Sequence, residues 1–166
     1  MRAEHARSEV TVRDRVWWSD VDTMGVMYFG RYLRFAEMAE TEFFRAIGFS
    51  YDQIRAQFAI WFARIHLEVD FRLPAKLDDE VICRAELVKL GAATIHFRFP
   101  LERARDGIRL ADIALTVAAL DATTLKTART RPLCATSCSS SFGPRSSTYV
   151  TSAAPAFRPT TGRPAP

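Results

Sequence analysis

Apolar and polar residues alternate over residues 10–18, near the start of the chain. This period of two predicts a β-strand with one buried face, although Asp14 interrupts the apolar series. Residues 19–27 keep no such period and contain Gly25, so they predict a loop. The chain is therefore expected to open with one strand and an irregular connection.

A helical period replaces this alternation from residue 29 or 30 to residue 47. Apolar side chains recur there every three or four positions and leave only a narrow polar strip. A helix that is apolar over so much of its circumference must be covered by other elements, and Gly48 stands where a left-handed residue commonly ends a helix. We predict one long central helix, followed by a short helix over residues 51–57 that Ser50 caps.

Four further segments have strand character. They cover residues 60–71, 80–89, 94–103 and 108–120. The short separators Gly91-Ala92 and Asp106-Gly107 favour hairpins over helical crossovers, so we expect antiparallel neighbours. One strand, one long helix and four strands predict an α+β domain, in which a five-stranded antiparallel sheet packs against one helix.

The hydrophobic pattern ends near residue 125. Residues 136–166 are rich in Ser, Thr, Pro, Ala and Arg, and such a composition buries too little apolar surface to order a chain. We therefore divide the protein into a flexible N-terminus (residues 1–9), one folded domain (residues 10–132) and a disordered tail (residues 133–166).

Charge and composition exclude several classes of protein. The net charge is +4 and the pI is near 9.2, but the last 38 residues hold five arginines and no acidic residue. The 128 residues before them carry 18 basic and 19 acidic side chains, so no nucleic-acid partner is indicated. No apolar run reaches the roughly 18 residues of a membrane span, and the first residues lack the apolar segment of a signal peptide. We expect a cytoplasmic protein without a membrane span.

Cysteine and histidine usage does not point to a metal or a redox centre. Cys83, Cys134 and Cys138 are odd in number and lack a second Cys or His pair, so we expect free thiols and no metal site. His66 and His96 fall inside predicted strands, where a histidine of the sheet is commoner than a catalytic base. Because the chain also lacks a Gly-rich phosphate loop and a Gly-x-Ser-x-Gly elbow, no cofactor is expected.

Two carboxylates, Asp20 and Asp22, precede the long helix. Unpaired backbone N–H groups and the helix dipole favour developing negative charge at such a point, and a carboxylate beside them can activate water or attack a carbonyl. Asp22 has the placement for this chemistry. A cap or loop role is the alternative for both residues, and it fits Asp20 better. Glu37 is the helical acid that we expect to accept loop amides.

The stretch around these carboxylates resembles the signature of hot-dog fold thioesterases. Its residues are Asp-Val-Asp-Thr-Met-Gly-Val-Met-Tyr at 20–28, then Tyr32 and Phe35-Ala36-Glu37. The resemblance is strongest to the 4-hydroxybenzoyl-CoA thioesterase family, in its branch of acyl-CoA thioester hydrolases associated with the Tol-Pal system. A second block at residues 69–79, Val-Asp-Phe-Arg-Leu-Pro-Ala-Lys-Leu-Asp-Asp, is similar to that branch's strand and turn after the helix. The similarity covers residues 10–132.

This resemblance implies a hot-dog fold, in which the five-stranded antiparallel sheet wraps around the central helix. It also implies a homodimer with active sites at the subunit interface, a tetramer being left open, and an acyl-CoA or acyl-carrier-protein substrate. Asp22 matches the second, catalytic Asp of the motif and would act as general base or as nucleophile. The backbone amide of Phe29 matches the group that polarises the thioester carbonyl.

Other residues are placed around the site by the same resemblance. Structural roles beside the site are expected for Asp20, Gly25, Tyr32 and Glu37. Acyl contacts are expected from Tyr28, Trp61 and Phe62. The strand with Trp61 and Phe62 would face the neighbouring subunit's site, and ordinary sheet core is the alternative for these two residues.

Three features depart from the family pattern. Phe29 stands where many members carry His or Tyr, so its side chain cannot transfer a proton. The turn Leu90-Gly91-Ala92-Ala93 replaces basic residues that hold the CoA phosphates in some relatives, which leaves room for an acyl group on a carrier protein. The residues after Leu133 resemble nothing in the family.

Two other functions stay open. A non-catalytic, acyl-thioester-binding dimer fits the presence of Phe29 and the missing basic turn. A hot-dog hydratase or dehydratase would need a histidine in the site, and residues 19–48 contain none.

Overall fold

One long helix lies against a six-stranded sheet in the computed structural model, which describes residues 9–130 and 149–151. The helices are α1 (Tyr32–Ala46) and α2 (Tyr51–Phe58). The strands are β1 (Glu9–Arg15), β2 (Ile60–Phe71), β3 (Glu80–Leu90), β4 (Thr94–Arg103), β5 (Arg109–Asp121) and β6 (Tyr149–Thr151). β1 ends earlier than predicted because a 3-10 turn, Trp18–Asp20, follows it closely.

The strand order is β2-β5-β4-β3-β1-β6. The two predicted hairpins, β3–β4 and β4–β5, are confirmed as antiparallel pairs. Gly107 in the second hairpin has φ +68°, a conformation that glycine adopts without steric cost. β2 pairs with β5 instead of with β3, the next strand along the chain. The intervening residues 72–79 pass the first turn of α1, where the Ala75 amide donates to the Tyr32 hydroxyl at 3.1 Å.

A sixth strand lies where a disordered tail was predicted. Residues 149–151 pair in parallel with β1, and Val150 stands opposite Val12. The rest of the predicted tail at residues 133–166 lies outside the described residues, as do residues 1–8 and 131–132. The prediction of disorder rests on the average composition of the tail. Such an average does not reveal a short aromatic and β-branched segment, Tyr-Val-Thr, that can pair with an open sheet edge.

The core lies between α1 and the inner face of the sheet. Aromatic side chains of α1 meet those of β4, and the ring centroids of Phe43 and Phe97 are 5.1 Å apart in an edge-on arrangement. Phe35, Phe44 and Phe99 are at most 1% exposed. Each buried phenyl ring stabilises the fold by about 1.5–3 kcal/mol through apolar burial. The predicted covering of the long helix is therefore confirmed.

Two predicted helix signals are confirmed, the left-handed glycine after α1 and the cap at the start of α2. Gly48 has φ +96°, the left-handed conformation expected after the helix. The Ser50 hydroxyl accepts the Gln53 amide at 3.2 Å, and the Gln53 side chain accepts the Ser50 amide at 2.8 Å. This reciprocal capping box satisfies two amide donors at the start of α2.

Candidate active site

The loop between β1 and α1 is anchored by Asp20. Its side chain is 2% exposed and accepts the Trp17 amide at 2.9 Å and Arg34 Nη2 at 2.8 Å. Its backbone carbonyl accepts the Tyr28 amide at 2.8 Å. One residue thus joins the two ends of the loop, which is the kind of structural role predicted for Asp20.

Asp22 lies in the exposed tip of this loop. Its Oδ1 accepts the Met24 amide at 2.8 Å, and its backbone carbonyl accepts the Gly25 amide at 3.0 Å. Gly25 has φ +72°, so the turn favours glycine at this position. A carboxylate offers about four acceptor positions, so this single cap leaves acceptor capacity for a water molecule. The carboxylate can shape the loop and still act on a substrate.

Phe29 begins a 3-10 turn, Phe29–Arg31, that runs directly into α1. Amides in a first helical turn have no partner within the helix and point out of its end. The Phe29 side chain is 64% exposed, and its ring centroid lies 4.4 Å from that of Tyr28. Both aromatic rings therefore stand at the helix N-terminus, beside an amide that can donate to an oxygen atom.

A cavity of about 240 Å³ opens at the same end of α1. It is lined by Met27, Phe29, Tyr32, Phe71, Arg72, Leu73 and Pro74. The Tyr32 and Phe71 rings meet edge-on with centroids 5.1 Å apart. Burial raises the pKa of Tyr32, whose hydroxyl accepts the Ala75 amide, so the phenol stays neutral. The walls are largely apolar and suit an uncharged acyl group.

Trp61 and Phe62 lie far from this cavity within one chain. They stand at the other end of β2 from Phe71, which at the usual rise per residue is about 30 Å away. The Phe62 ring stacks on that of Phe44 with centroids 5.1 Å apart, so its contacts are those of sheet core. Trp61 faces the other side of the sheet and is 46% exposed. Any contact of Trp61 with acyl groups requires a second chain.

The Glu37 side chain is exposed on α1, and its expected contact with loop amides stays a prediction. The buried acid of α1 is instead Glu40, which is 0% exposed and accepts Arg64 Nη2 at 2.9 Å. Burial raises the pKa of Glu40, and the nearby Arg64 guanidinium opposes that effect. Glu40 stands four residues after Ala36 and three before Phe43, on the predicted apolar stripe. The helical period in the sequence could therefore have identified Glu40 as the buried acid.

His66, Cys83 and His96 all lie on strands of the sheet. The two ring nitrogens of His96 lie 3.2 Å from the Thr94 hydroxyl and 3.1 Å from the Thr116 hydroxyl, so this side chain is satisfied on the sheet. His66 is exposed on β2. Cys83 is a free, fully buried thiol whose pKa is raised by burial.

Within residues 9–130 and 149–151, no three His, Cys, Asp or Glu side chains cluster closely enough to bind a metal ion. The helices of this described part are too short or too polar to cross a membrane. The cavity described above has a largely apolar lining with the Arg72 side chain and the first helical turn at Phe29, and the Asp22 carboxylate lies in the adjoining loop that ends at Met27, one of the lining residues.

Known proteins match both the sequence and the fold. The model of a family described as the thioesterase-like superfamily matches residues 16–136. The acyl-CoA thioesterase YbgC of Haemophilus influenzae is 34% identical over 107 residues, which are 64% of this chain and 77% of that protein. The acyl-CoA thioester hydrolase YbgC of Escherichia coli O157:H7 is 31% identical over 83 residues, which are 50% of this chain and 61% of that protein.

A solved structure shows the same fold at lower sequence identity. It is a 1,4-dihydroxy-2-naphthoyl-CoA thioesterase from Synechocystis, with a TM-score of 0.73 and 19% identity. The alignment covers 82% of this chain and 99% of that one. At this identity the likeness concerns the arrangement of helix and sheet.

Proposed function

This chain belongs to the thioesterase-like superfamily, and from that premise we propose that it hydrolyses an acyl-CoA thioester to the free acid and a thiol. Its single long helix and the five antiparallel strands β1–β5 form the hot-dog fold of thioesterases. The observation that carries the proposal is the family match over residues 16–136, which includes the Asp22 loop and the amide of Phe29 at the mouth of an apolar cavity.

Asp22 and the Phe29 amide have complementary tasks in the proposed reaction. The thioester carbonyl oxygen accepts a hydrogen bond from the Phe29 amide, which makes the carbonyl carbon more electrophilic. Asp22 takes a proton from a water molecule while the water oxygen attacks that carbon. The resulting oxyanion is stabilised by the same amide and by the helix dipole. Collapse of the intermediate breaks the carbon–sulfur bond, and the proton on Asp22 passes to the departing sulfur.

The residues equally support a nucleophilic route. In it Asp22 attacks the carbonyl carbon, the thiolate leaves, and water then hydrolyses the mixed anhydride. Both routes need the Phe29 amide at the carbonyl oxygen, and neither uses a proton on the Phe29 side chain. The exposed Phe29 and Tyr28 rings are then available to contact the acyl group.

The proposed substrate carries an apolar acyl group on CoA or on an acyl carrier protein. The cavity walls are mainly aromatic and aliphatic, which favours an uncharged chain or ring over a charged one. The turn Leu90-Gly91-Ala92-Ala93 has no basic side chain for nucleotide phosphates. Delivery on a carrier protein is the alternative that this turn supports.

A panel of thioesters tests the proposed function. It contains aryl-, short-chain and long-chain acyl-CoA, the same acyl groups on a carrier protein, and enoyl and 3-hydroxyacyl thioesters. We expect thiol release from at least one apolar acyl thioester. Hydration or dehydration without thiol release would favour a hot-dog hydratase, and binding without any turnover would favour a non-catalytic module.

We also propose that two chains pair through β2. This edge strand exposes Trp61, Ile65, Leu67 and Phe71, each between 46% and 59%. A long apolar edge with unpaired backbone groups favours pairing with another strand. In a two-fold antiparallel pair centred on the 12-residue strand, Trp61 of each chain comes close to Phe71 of the other. Trp61 would then help to enclose the neighbouring cavity.

Sedimentation velocity on matched lysine variants tests this pairing. We expect a dimer for the wild-type protein and a monomer for Ile65→Lys, since a charge on the paired edge opposes burial. Val88→Lys is the control, because Val88 is similarly exposed, at 64%, but lies near the end of β3. A monomeric wild type, or equal effects of both variants, would contradict pairing through β2.

A further inference from the structure

We propose that Arg34 is a positioning residue that fixes both reacting groups, the Asp22 carboxylate and the Phe29 amide, through their common anchor Asp20. The proposal rests on the function proposed above and adds a residue outside the cavity. Arg34 lies in the first turn of α1, and its guanidinium reaches back towards β1 and the loop that precedes the helix.

Three hydrogen bonds to oxygen atoms hold the Arg34 guanidinium. Nη1 donates to Asp14 Oδ2 on β1, while Nη2 donates to Asp20 Oδ2 at 2.8 Å and to the backbone carbonyl of Arg15 at 3.1 Å. Asp14 and Asp20 are only 7% and 2% exposed. One cation therefore neutralises two buried carboxylates from different segments and fixes their separation.

Asp20 transmits this constraint to both sides of the site. On one side Asp22 follows it by two residues, in a loop that Val21 and Met27 close as a bridge. On the other side the Asp20 carbonyl holds the Tyr28 amide at 2.8 Å, and Phe29 is the next residue. A shift of Asp20 thus changes the distance between the carboxylate and the amide that must act on the same carbonyl group.

Neighbouring cations cannot replace Arg34. Arg31 Nε lies 4.0 Å from Asp20 Oδ1, and its side chain is 50% exposed, so this contact is weak. Lysine at position 34 would keep the charge but lose the planar fork that bonds two carboxylates and a carbonyl at once. Loss of Arg34 would also leave two like charges buried near each other, which favours movement of the loop towards water.

Steady-state kinetics on two variants test the proposal. Arg34→Gln should lower kcat by roughly 100-fold with KM within about twofold, because a misplacement of about 1 Å can cost that much. Arg84→Gln is the matched control, since Arg84 of β3 is buried to a similar degree, with a side chain 26% exposed against 28% for Arg34, and it bonds Glu102 at 2.7 Å on the sheet. It should lower the melting temperature and keep kcat close to that of the wild type. Both are assayed well below their melting temperatures.

Hydrogen exchange gives a readout that needs no substrate. The Asp22 amide donates to the Val26 carbonyl and the Tyr28 amide to the Asp20 carbonyl, and both should exchange faster in Arg34→Gln but not in Arg84→Gln. If the wild type hydrolyses no thioester, the proposed function fails and exchange alone decides the role of Arg34. If Arg34→Gln does not fold, Arg34→Lys is compared in the same way, with a smaller loss expected. The proposal is overturned if a folded Arg34→Gln or Arg34→Lys variant keeps both the kcat and the amide exchange rates of the wild type.

Discussion

Replacing Asp22 with asparagine should reduce kcat for thioester hydrolysis by about 10²–10⁴-fold while the protein stays folded. Asparagine cannot take a proton from water and cannot form a mixed anhydride, so both proposed routes are blocked. Its side-chain oxygen can still accept the Met24 amide, as Asp22 Oδ1 does at 2.8 Å. The turn should therefore persist, and the loss should reflect chemistry and not the shape of the loop.

The measurement compares kcat and melting temperature of the variant with those of Asp52→Asn. Asp52 is a suitable control because its side chain is 93% exposed on α2, on a different element from the loop that carries Asp22. We expect unchanged melting temperatures for both variants and a loss of kcat for Asp22→Asn alone. Near wild-type turnover by Asp22→Asn would remove this carboxylate from the mechanism.

A second large effect is expected when the Phe29 amide is removed without loss of the helix. Phe29→Pro deletes the N–H group, and the loss of one such donor at an oxyanion typically costs about 10²–10³-fold in kcat. Proline is tolerated at the first helical position. Tyr28, the residue before it, has φ −57° and ψ 135°, an extended conformation of the kind that a following proline favours.

Phe29→Ala is the matched control for this experiment. It removes the exposed ring but keeps the amide, so we expect kcat to change little and KM to rise if the ring contacts the acyl group. Circular dichroism and melting temperature establish that the helix persists in both variants. Equal losses of kcat in the two variants would assign the effect to the side chain and reject the proposed amide contact.

Local patterns in the chain were sufficient to predict most of the fold. The period of α1 and the hairpin separators depend on residues a few positions apart, and their physical meaning does not change with distant partners. The same holds for the Ser50 cap and the glycine at position 48. The family resemblance then selected Asp22 over Asp20 and pointed to the amide of Phe29, and these roles remain predictions for the variants above.

Sequence patterns did not determine the surroundings of a residue where these depend on a distant segment. Glu37 and Glu40 are both acids on one apolar helix, and the choice between them depends on Arg64, a residue of β2. Phe62 fits an acyl pocket or a core equally well by composition, and its stacking on Phe44 is a core contact that only the fold reveals. The strand at residues 149–151 depends on the open edge of β1.

The amino-acid sequence by itself determined one buried helix, the order of strands along the chain, and an acidic loop at the start of that helix. Only the tertiary structure decided which charges meet, because ion pairs join positions such as 14, 20 and 34 that no periodic pattern links. Burial makes such pairs consequential, since a carboxylate withdrawn from water needs a partner held at a fixed place. The sequence therefore predicts which residues form the loop from Asp22 to Phe29. The tertiary structure adds its contacts, such as the bond from Arg34 to Asp20.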